Sequence, residues 1–186
     1  LITGVRVDNL RTHSLPANAS GSRPFIPDSS VVKVNPRLSA AYIAREGEPG
    51  SGFGMTRLHG SFGTGIRPPS GYELGNTNNP DLKPEKSLSF DAGIEQMILS
   101  SRAALDLTYF HNRFKDLIVG LGGSLSHLSS FSSANLSNSR TQGLEVSFRT
   151  HPIPSLELGG QYTYMDSEIL AIDGTSLAKA PFQVGQ

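Results

Sequence analysis

Apolar and polar residues alternate along most of this chain, and few folds accept that pattern. Leu88, Phe90, Ala92 and Ile94 interleave with Ser89, Asp91, Gly93 and Glu95. Ala103, Leu105, Leu107 and Tyr109 oppose Ala104, Asp106, Thr108 and Phe110. Leu144, Val146 and Phe148 oppose Gly143, Glu145, Ser147 and Arg149, and Leu156, Leu158, Tyr162 and Tyr164 oppose Glu157, Gly159, Gln161 and Thr163. A period of two puts successive side chains on opposite faces of a β-strand. Weaker versions run over residues 1–8, 31–44 and 53–62, with Pro36 marking a strand start or a bulge. No stretch of helical periodicity competes, so the chain reads as nearly all β.

The connections come in two sizes, and the sizes alternate. Gly47–Gly52, Leu99–Arg102 and His151–Pro154 are short, whereas residues 9–30, 63–86, 120–138 and 166–180 are long. In a meander of antiparallel strands, all long loops then leave from one end. Outer-membrane barrels show that asymmetry, with short periplasmic turns and long extracellular loops. A soluble β-sandwich is the competing reading, in which Leu88, Phe90, Leu144, Phe148 and Leu158 pack between two sheets. Alternation alone does not separate the two; the loop asymmetry favours the barrel.

Composition narrows the function. Sixteen Lys and Arg balance sixteen Asp and Glu, leaving no cationic surplus to neutralise phosphates, so nucleic acid is not an expected partner. With no cysteine, disulfides and thiolate metal sites are excluded. No apolar run is long enough for a transmembrane helix, but a transmembrane strand needs only about 9–11 alternating residues. The chain starts within a strand-like pattern, Leu1 to Asp8, and Pro181–Gln186 reads as the start of another strand. An interior stretch of a longer protein is therefore expected.

Several motifs, in order, carry a family resemblance. Gly60-Ser61-Phe62-Gly63-Thr64-Gly65-Ile66-Arg67-Pro68-Pro69 is followed by Glu73-Leu74, then by Asn79-Pro80-Asp81-Leu82-Lys83-Pro84-Glu85-Lys86-Ser87. Gly4-Val5-Arg6-Val7-Asp8, Pro36-Arg37, Tyr109-Phe110-His111-Asn112, Asp116-Leu117-Ile118, Gly143-Leu144-Glu145 and Tyr162-Thr163-Tyr164 add weaker matches. Together they resemble the C-terminal barrel region of TonB-dependent outer-membrane receptors. Ile66 and Pro68 replace the family's usual Phe and Ala. The resemblance implies an antiparallel transmembrane β-barrel, with this chain supplying about eight strands of a 22-stranded barrel. It also implies a monomer in the outer membrane of a Gram-negative bacterium, importing a scarce ligand such as a ferric siderophore, haem or cobalamin. The implied partners are outer-membrane lipid, an N-terminal plug that this chain lacks, the energy transducer TonB, and a small-molecule or metal-chelate ligand. No cofactor and no enzymatic activity are expected.

The residues that mark the family, Arg67, Pro68, Asn79, Pro80, Leu82, Pro84, Glu85 and Ser87, are expected to shape a rim loop. Arg67, Glu85 and Lys86 would form an ion-pair network there. Asp91, Glu95, Asp106, Glu145, Arg149 and Glu157 are expected to face the lumen as polar lining. Tyr42, Tyr109, Tyr162 and Tyr164 suit an aromatic girdle on the lipid side. His13, His59, His111, His127 and His151 show no metal-ligand spacing. His127 is a candidate haem contact, and His59 with Asp91 or Asp106 is the one pair that could imitate a barrel-embedded hydrolase. Gly63-Thr64-Gly65 lacks the Lys-Ser/Thr and helix of a phosphate loop.

Overall fold

The structure, a computed structural model, describes residues 1–19, 23–47, 52–75, 77, 79–100, 102–121 and 132–171. Seven strands follow one another: β1 (Ile2–Thr12), β2 (Ser29–Arg45), β3 (Phe53–Arg67), β4 (Glu85–Ile98), β5 (Ala103–Leu121), β6 (Ser132–Ile153) and β7 (Leu156–Ala171). One short helix, α1 (Gly71–Gly75), lies between β3 and β4. All strands form a single sheet in sequence order, each antiparallel to the next. His127 and the further strand expected from Pro181 lie outside the described residues.

Register turns the alternation into two faces of opposite character. One row runs Tyr42, Leu58, Ile94, Leu107, Val146 and Tyr162 across β2 to β7. The adjacent row runs Ile43, Arg57, Glu95, Asp106, Ser147 and Gln161. The pleat thus repeats an apolar row and a polar row side by side across six strands. A slip of one residue in any pair would exchange the faces.

The apolar face is not covered. Among the described residues the buried apolar side chains are Ile26, Ala103 and Ala134. Phe90 keeps 38%, Leu144 43% and Phe148 49% of their surface exposed, and Leu88 and Leu158 are exposed too. The sandwich reading required these five to be buried between sheets. The described residues contain no second sheet, so that reading is overturned.

The strands also reach into segments expected to be loops. β1 runs to Thr12, β2 starts at Ser29, β3 reaches Arg67, β4 starts at Glu85, and β5 and β6 pair out to Leu121↔Ser132. β7 reaches Ala171, and β6 continues through His151 to Ile153. Residues 132–138 are mostly Ser and Asn, with only Ala134 and Leu136 apolar, so their strand signal is weak, yet the backbone ladder continues through them. Pro36 lies inside β2 opposite Val5. The β2–β3 pairing begins one residue later, at Arg37↔Gly63, so on that side the missing N–H forfeits no ladder bond.

Two glycines let bulky neighbours cross the sheet. A Cβ on Gly93 would stand 2.5 Å from both His59 Cε1 and Thr108 Oγ1. A Cβ on Gly143 would stand 2.7 Å from Phe110 Cζ and collide with the Tyr164 carbonyl. Gly143→Ala is therefore expected to destabilise the folded protein by about 1–3 kcal/mol, read as a lower denaturation midpoint. Gly4→Ala, with open space around its Cβ, is expected to change stability by less than about 0.5 kcal/mol.

Candidate functional site

The polar face of β3, β4 and β5 carries a cross-strand network set by register. Arg57 and Glu95 face each other and bond through Nε and Oε2 at 2.6 Å. Ser61 faces Asp91 and donates its hydroxyl to Oδ2. Between these rows stands His59, opposite Gly93. With no side chain at Gly93, the imidazole passes over β4 and places Nε2 2.8 Å from Asp106 Oδ2 on β5. Thr108 donates to the other oxygen of Asp106 at 2.7 Å. On β1 and β2, Arg6 and Asn35 both donate to Asp8, at 2.9 and 2.6 Å. The buried Asn35 in turn accepts from Thr64 at 3.1 Å.

Register places all six expected lining residues on this polar face. Asp91, Glu95 and Asp106 belong to the network just described. Glu145 lies in the row between Thr108 and Thr163. Arg149 and His151 approach Glu157 at 3.4 and 3.0 Å near the short β6–β7 turn. The histidines do not converge: His13 is exposed in the β1–β2 connection, and His111 stacks on Phe90 with centroids 5.1 Å apart. Among the described residues no group of three or more His, Asp or Glu could hold a metal ion. The His59–Asp106 pair assembles no nucleophilic relay, because the nearby Ser61 hydroxyl is committed to Asp91.

A second constellation closes the end of the sheet from which the long connections leave. Arg67 ends β3 and faces Glu85, which starts β4. Its guanidinium bonds Glu85 at 2.5 and 2.7 Å and Glu73 of α1 at 2.8 and 3.2 Å. Glu73 is held by a capping box: Ser70 N–H donates to its carboxylate at 2.6 Å, and Glu73 N–H donates to Ser70 Oγ at 3.3 Å. Glu85 also accepts the Ile118 N–H of β5 at 2.8 Å. One arginine thus ties two strands to a helix, and Glu85 ties in a third strand.

The Asn79–Ser87 stretch is stitched to β6. Asn79 Oδ1 accepts the Asp81 N–H at 2.9 Å, an Asx turn around Pro80. Thr77, almost wholly buried, donates to the Ser133 carbonyl at 2.7 Å. Asn135 makes a two-way bond with the Lys83 backbone, 2.9 Å in each direction, and also donates to the Asp116 carbonyl at 2.6 Å. Leu82 and Pro84 are half-buried beneath this stitching, and Pro68 is exposed where the chain leaves β3. Ser87 lies opposite Gly65. Lys86 departs from the expected network. It lies on the other pleat from Glu85 and pairs with Asp116 at 3.1 Å.

Asp116 is marked in the sequence only as part of the Asp116-Leu117-Ile118 motif, and nothing there points to Thr77, Ser133 or Asn135. Their roles depend on a β6 extension that polar residues do not announce. The capping box was legible as Ser70-x-x-Glu73.

Arg67 and Glu85 stand at strand ends beyond the apolar band, and Glu73 is in the connection. The Arg67 hydrogen bonds hold both carboxyls below the ordinary carboxylate range, helped by Ser70 at Glu73 and by the Ile118 amide at Glu85. The same bonds push the Arg67 guanidinium upward. A depressed folded-state pKa adds stability above the unfolded value of about 4.3 and loses it as pH falls through the folded value. Hydrogen-exchange protection at Ser70 and Ile118 is therefore expected to fall selectively below about pH 4, with Val146 unaffected. Arg67→Gln should abolish that selectivity.

The comparisons agree with this architecture. The family model described as TonB dependent receptor-like, beta-barrel, matches residues 1–186. The iron-regulated outer membrane virulence protein of Vibrio cholerae serotype O1 is 32% identical over 131 residues, covering 60% of this chain and 20% of the relative. The chain thus spans about a fifth of the length of the curated relatives it matches. The copper transporter OprC superposes with a TM-score of 0.69 at 15% identity, over 90% of this chain and 25% of that one. The siderophore receptor PirA from Pseudomonas aeruginosa gives 0.56 at 21% identity, over 75% and 27%. At such identities the solved structures speak to the fold alone. A family match over the full length, on a sheet with one apolar and one polar face, shows that the chain belongs to the TonB-dependent receptor-like β-barrel family.

Proposed function

We propose that these strands form part of an outer-membrane receptor that imports an iron chelate of the ferric-siderophore class by energy-coupled transport, without chemistry on the ligand. The observation that carries the reading is the uncovered apolar face, continuous across six strands and backed by an internally paired polar face. Water would penalise that surface, whereas hydrocarbon accepts it. The iron regulation of the Vibrio cholerae relative and the siderophore specificity of PirA, as their names state them, support the ligand class.

On this reading the apolar face meets lipid, and Tyr42, Tyr109, Tyr162 and Tyr164 lie on it. The polar face then lines the lumen, where Asp91, Glu95, Asp106, Glu145, Arg149 and Glu157 meet an N-terminal plug. The ends joined by long connections face the exterior and capture the ligand. Rearrangement of the plug, driven through TonB, opens the path. The stitched Asn79–Ser87 stretch serves as an ordered descent from the surface into β4, and ligand contacts are left to other loops. The working unit is a monomer.

Two experiments test this. In the intact receptor refolded into lipid vesicles, Leu144→Arg should cost about 2–4 kcal/mol of folding free energy, as a lipid-facing cation near the midplane does. Its sequence neighbour Glu145→Arg, on the other face, should cost less than about 1 kcal/mol. The reverse order would refute the face assignment. In iron-starved producing cells, deletion of the receptor should abolish uptake of at least one radiolabelled ferric siderophore from a hydroxamate and catecholate panel. Collapse of the proton gradient should do the same. Retained uptake of every siderophore in the panel would refute the ligand class.

A further inference from the structure

The apolar face changes character sharply at the end from which the long connections leave. Its last aromatic row is Phe62, Phe90 and His111, with Gln142 beyond on β6. One step of two residues higher, about 7 Å along the strands, the row reads Leu88, Arg113, Arg140 and Glu168. The next step reads Ile66, Lys86, Lys115 and Asn138. Four cations therefore occupy two adjacent rows on three neighbouring strands, on the same face as the exposed leucines and tyrosines.

Their partners divide them. Lys86 is paired with Asp116 at 3.1 Å. Arg140 is held by Glu168 at 2.6 Å with Asp166 at 3.8 Å, though its Nε is buried without a hydrogen-bond partner. Arg113 and Lys115 are both exposed, two residues apart on β5, and enter no ion pair among the described residues. The patch thus offers two unneutralised cations between two that are already anchored, directly above an aromatic row.

We propose that this step is a binding site for the phosphate of a lipid headgroup in the outer leaflet, with Arg113 and Lys115 as the principal contacts. Charge complementarity selects the occupant. A lipid whose chains lie along the Leu88–Phe90 surface brings its headgroup to the height of these two rows. Arg113 offers the planar fork suited to two phosphate oxygens, and Lys115 adds a compact charge beside it. Lys86 and Arg140 border the site and hold its width through their own acidic partners. The proposal rests on the lipid-facing assignment of the apolar face made above. It adds a specific headgroup site that this assignment does not require.

The test uses the intact receptor in dodecyl maltoside micelles, titrated with dioleoyl phosphatidic acid and with dioleoylglycerol, which differ only in the phosphate. Phosphatidic acid should bind more tightly, with an affinity that falls as salt rises. Arg113→Gln with Lys115→Gln should weaken it roughly tenfold or more, and Arg113→Lys with Lys115→Arg should retain most of it. Equal binding of the two lipids by the wild-type receptor would overturn the proposal, even if the double Gln variant failed to fold. Undiminished phosphatidic acid binding by a folded double Gln variant would do so too. Complete competition by millimolar inorganic phosphate would reassign the site to a free anion and overturn the lipid. A receptor that stays folded and monodisperse without detergent would instead refute the underlying face assignment, so the two failures are distinguishable.

Discussion

A sheet without a core depends on its register. Here the described residues bury almost no apolar side chains, so packing cannot choose among alternative strand alignments as it does in a globular protein. The backbone ladder must hold the strands, and the pleat must keep every apolar residue on one side. Hydrocarbon enforces both. It offers no partner to a loose N–H or C=O, and it penalises charge on the outward face. The rows that cross six strands are the result, and the polar network is their by-product. Arg57 meets Glu95, Ser61 meets Asp91 and Arg67 meets Glu85 because each pair lies directly opposite across β3 and β4.

The network is modest in energy. Its ion pairs are part-exposed, and such pairs are worth about 0–1 kcal/mol each. Its value is in specificity. A one-residue slip of β4 alone would turn Asp91 and Glu95 outward together, away from Ser61, Arg57 and Asp106, and bring Phe90 and Ile94 inward. Gly93 and Gly143 extend the same logic to rings. Removing one side chain from the pleat lets His59 reach a strand beyond its neighbour, and lets the Phe110 ring lie against bare backbone.

Where both faces had to differ, the sequence was readable. β4, β5 and β7 showed their mid-sections through Leu88–Ile94, Ala103–Tyr109 and Leu156–Tyr164. β6 did so through Gly143–Arg149, and the six acidic and basic residues singled out on these four strands share one face in the structure. Legibility stopped where the environments of the two faces converge. Ser132–Asn138 is a Ser- and Asn-rich run whose only apolar residues are Ala134 and Leu136, yet it extends β6 and supplies Ser133 and Asn135 to the rim. Lys86 was grouped with Arg67 and Glu85 because it adjoins them in sequence, but adjacent strand residues point apart. His59 was matched to two candidate acids, and only the bare backbone of Gly93 explains why it reaches Asp106 rather than Asp91.

The stitching of the Asn79–Ser87 stretch fixes a length. Thr77 is tied to Ser133, Lys83 to Asn135, and Glu85 to both Arg67 and Ile118. The anchors on β6 lie two residues apart on a strand, so the chain between Thr77 and Lys83 must span a set distance. An inserted or deleted residue there would put two anchors out of step at once. The connection therefore behaves as a ruler between two hairpins, whose length the strand spacing of β6 dictates.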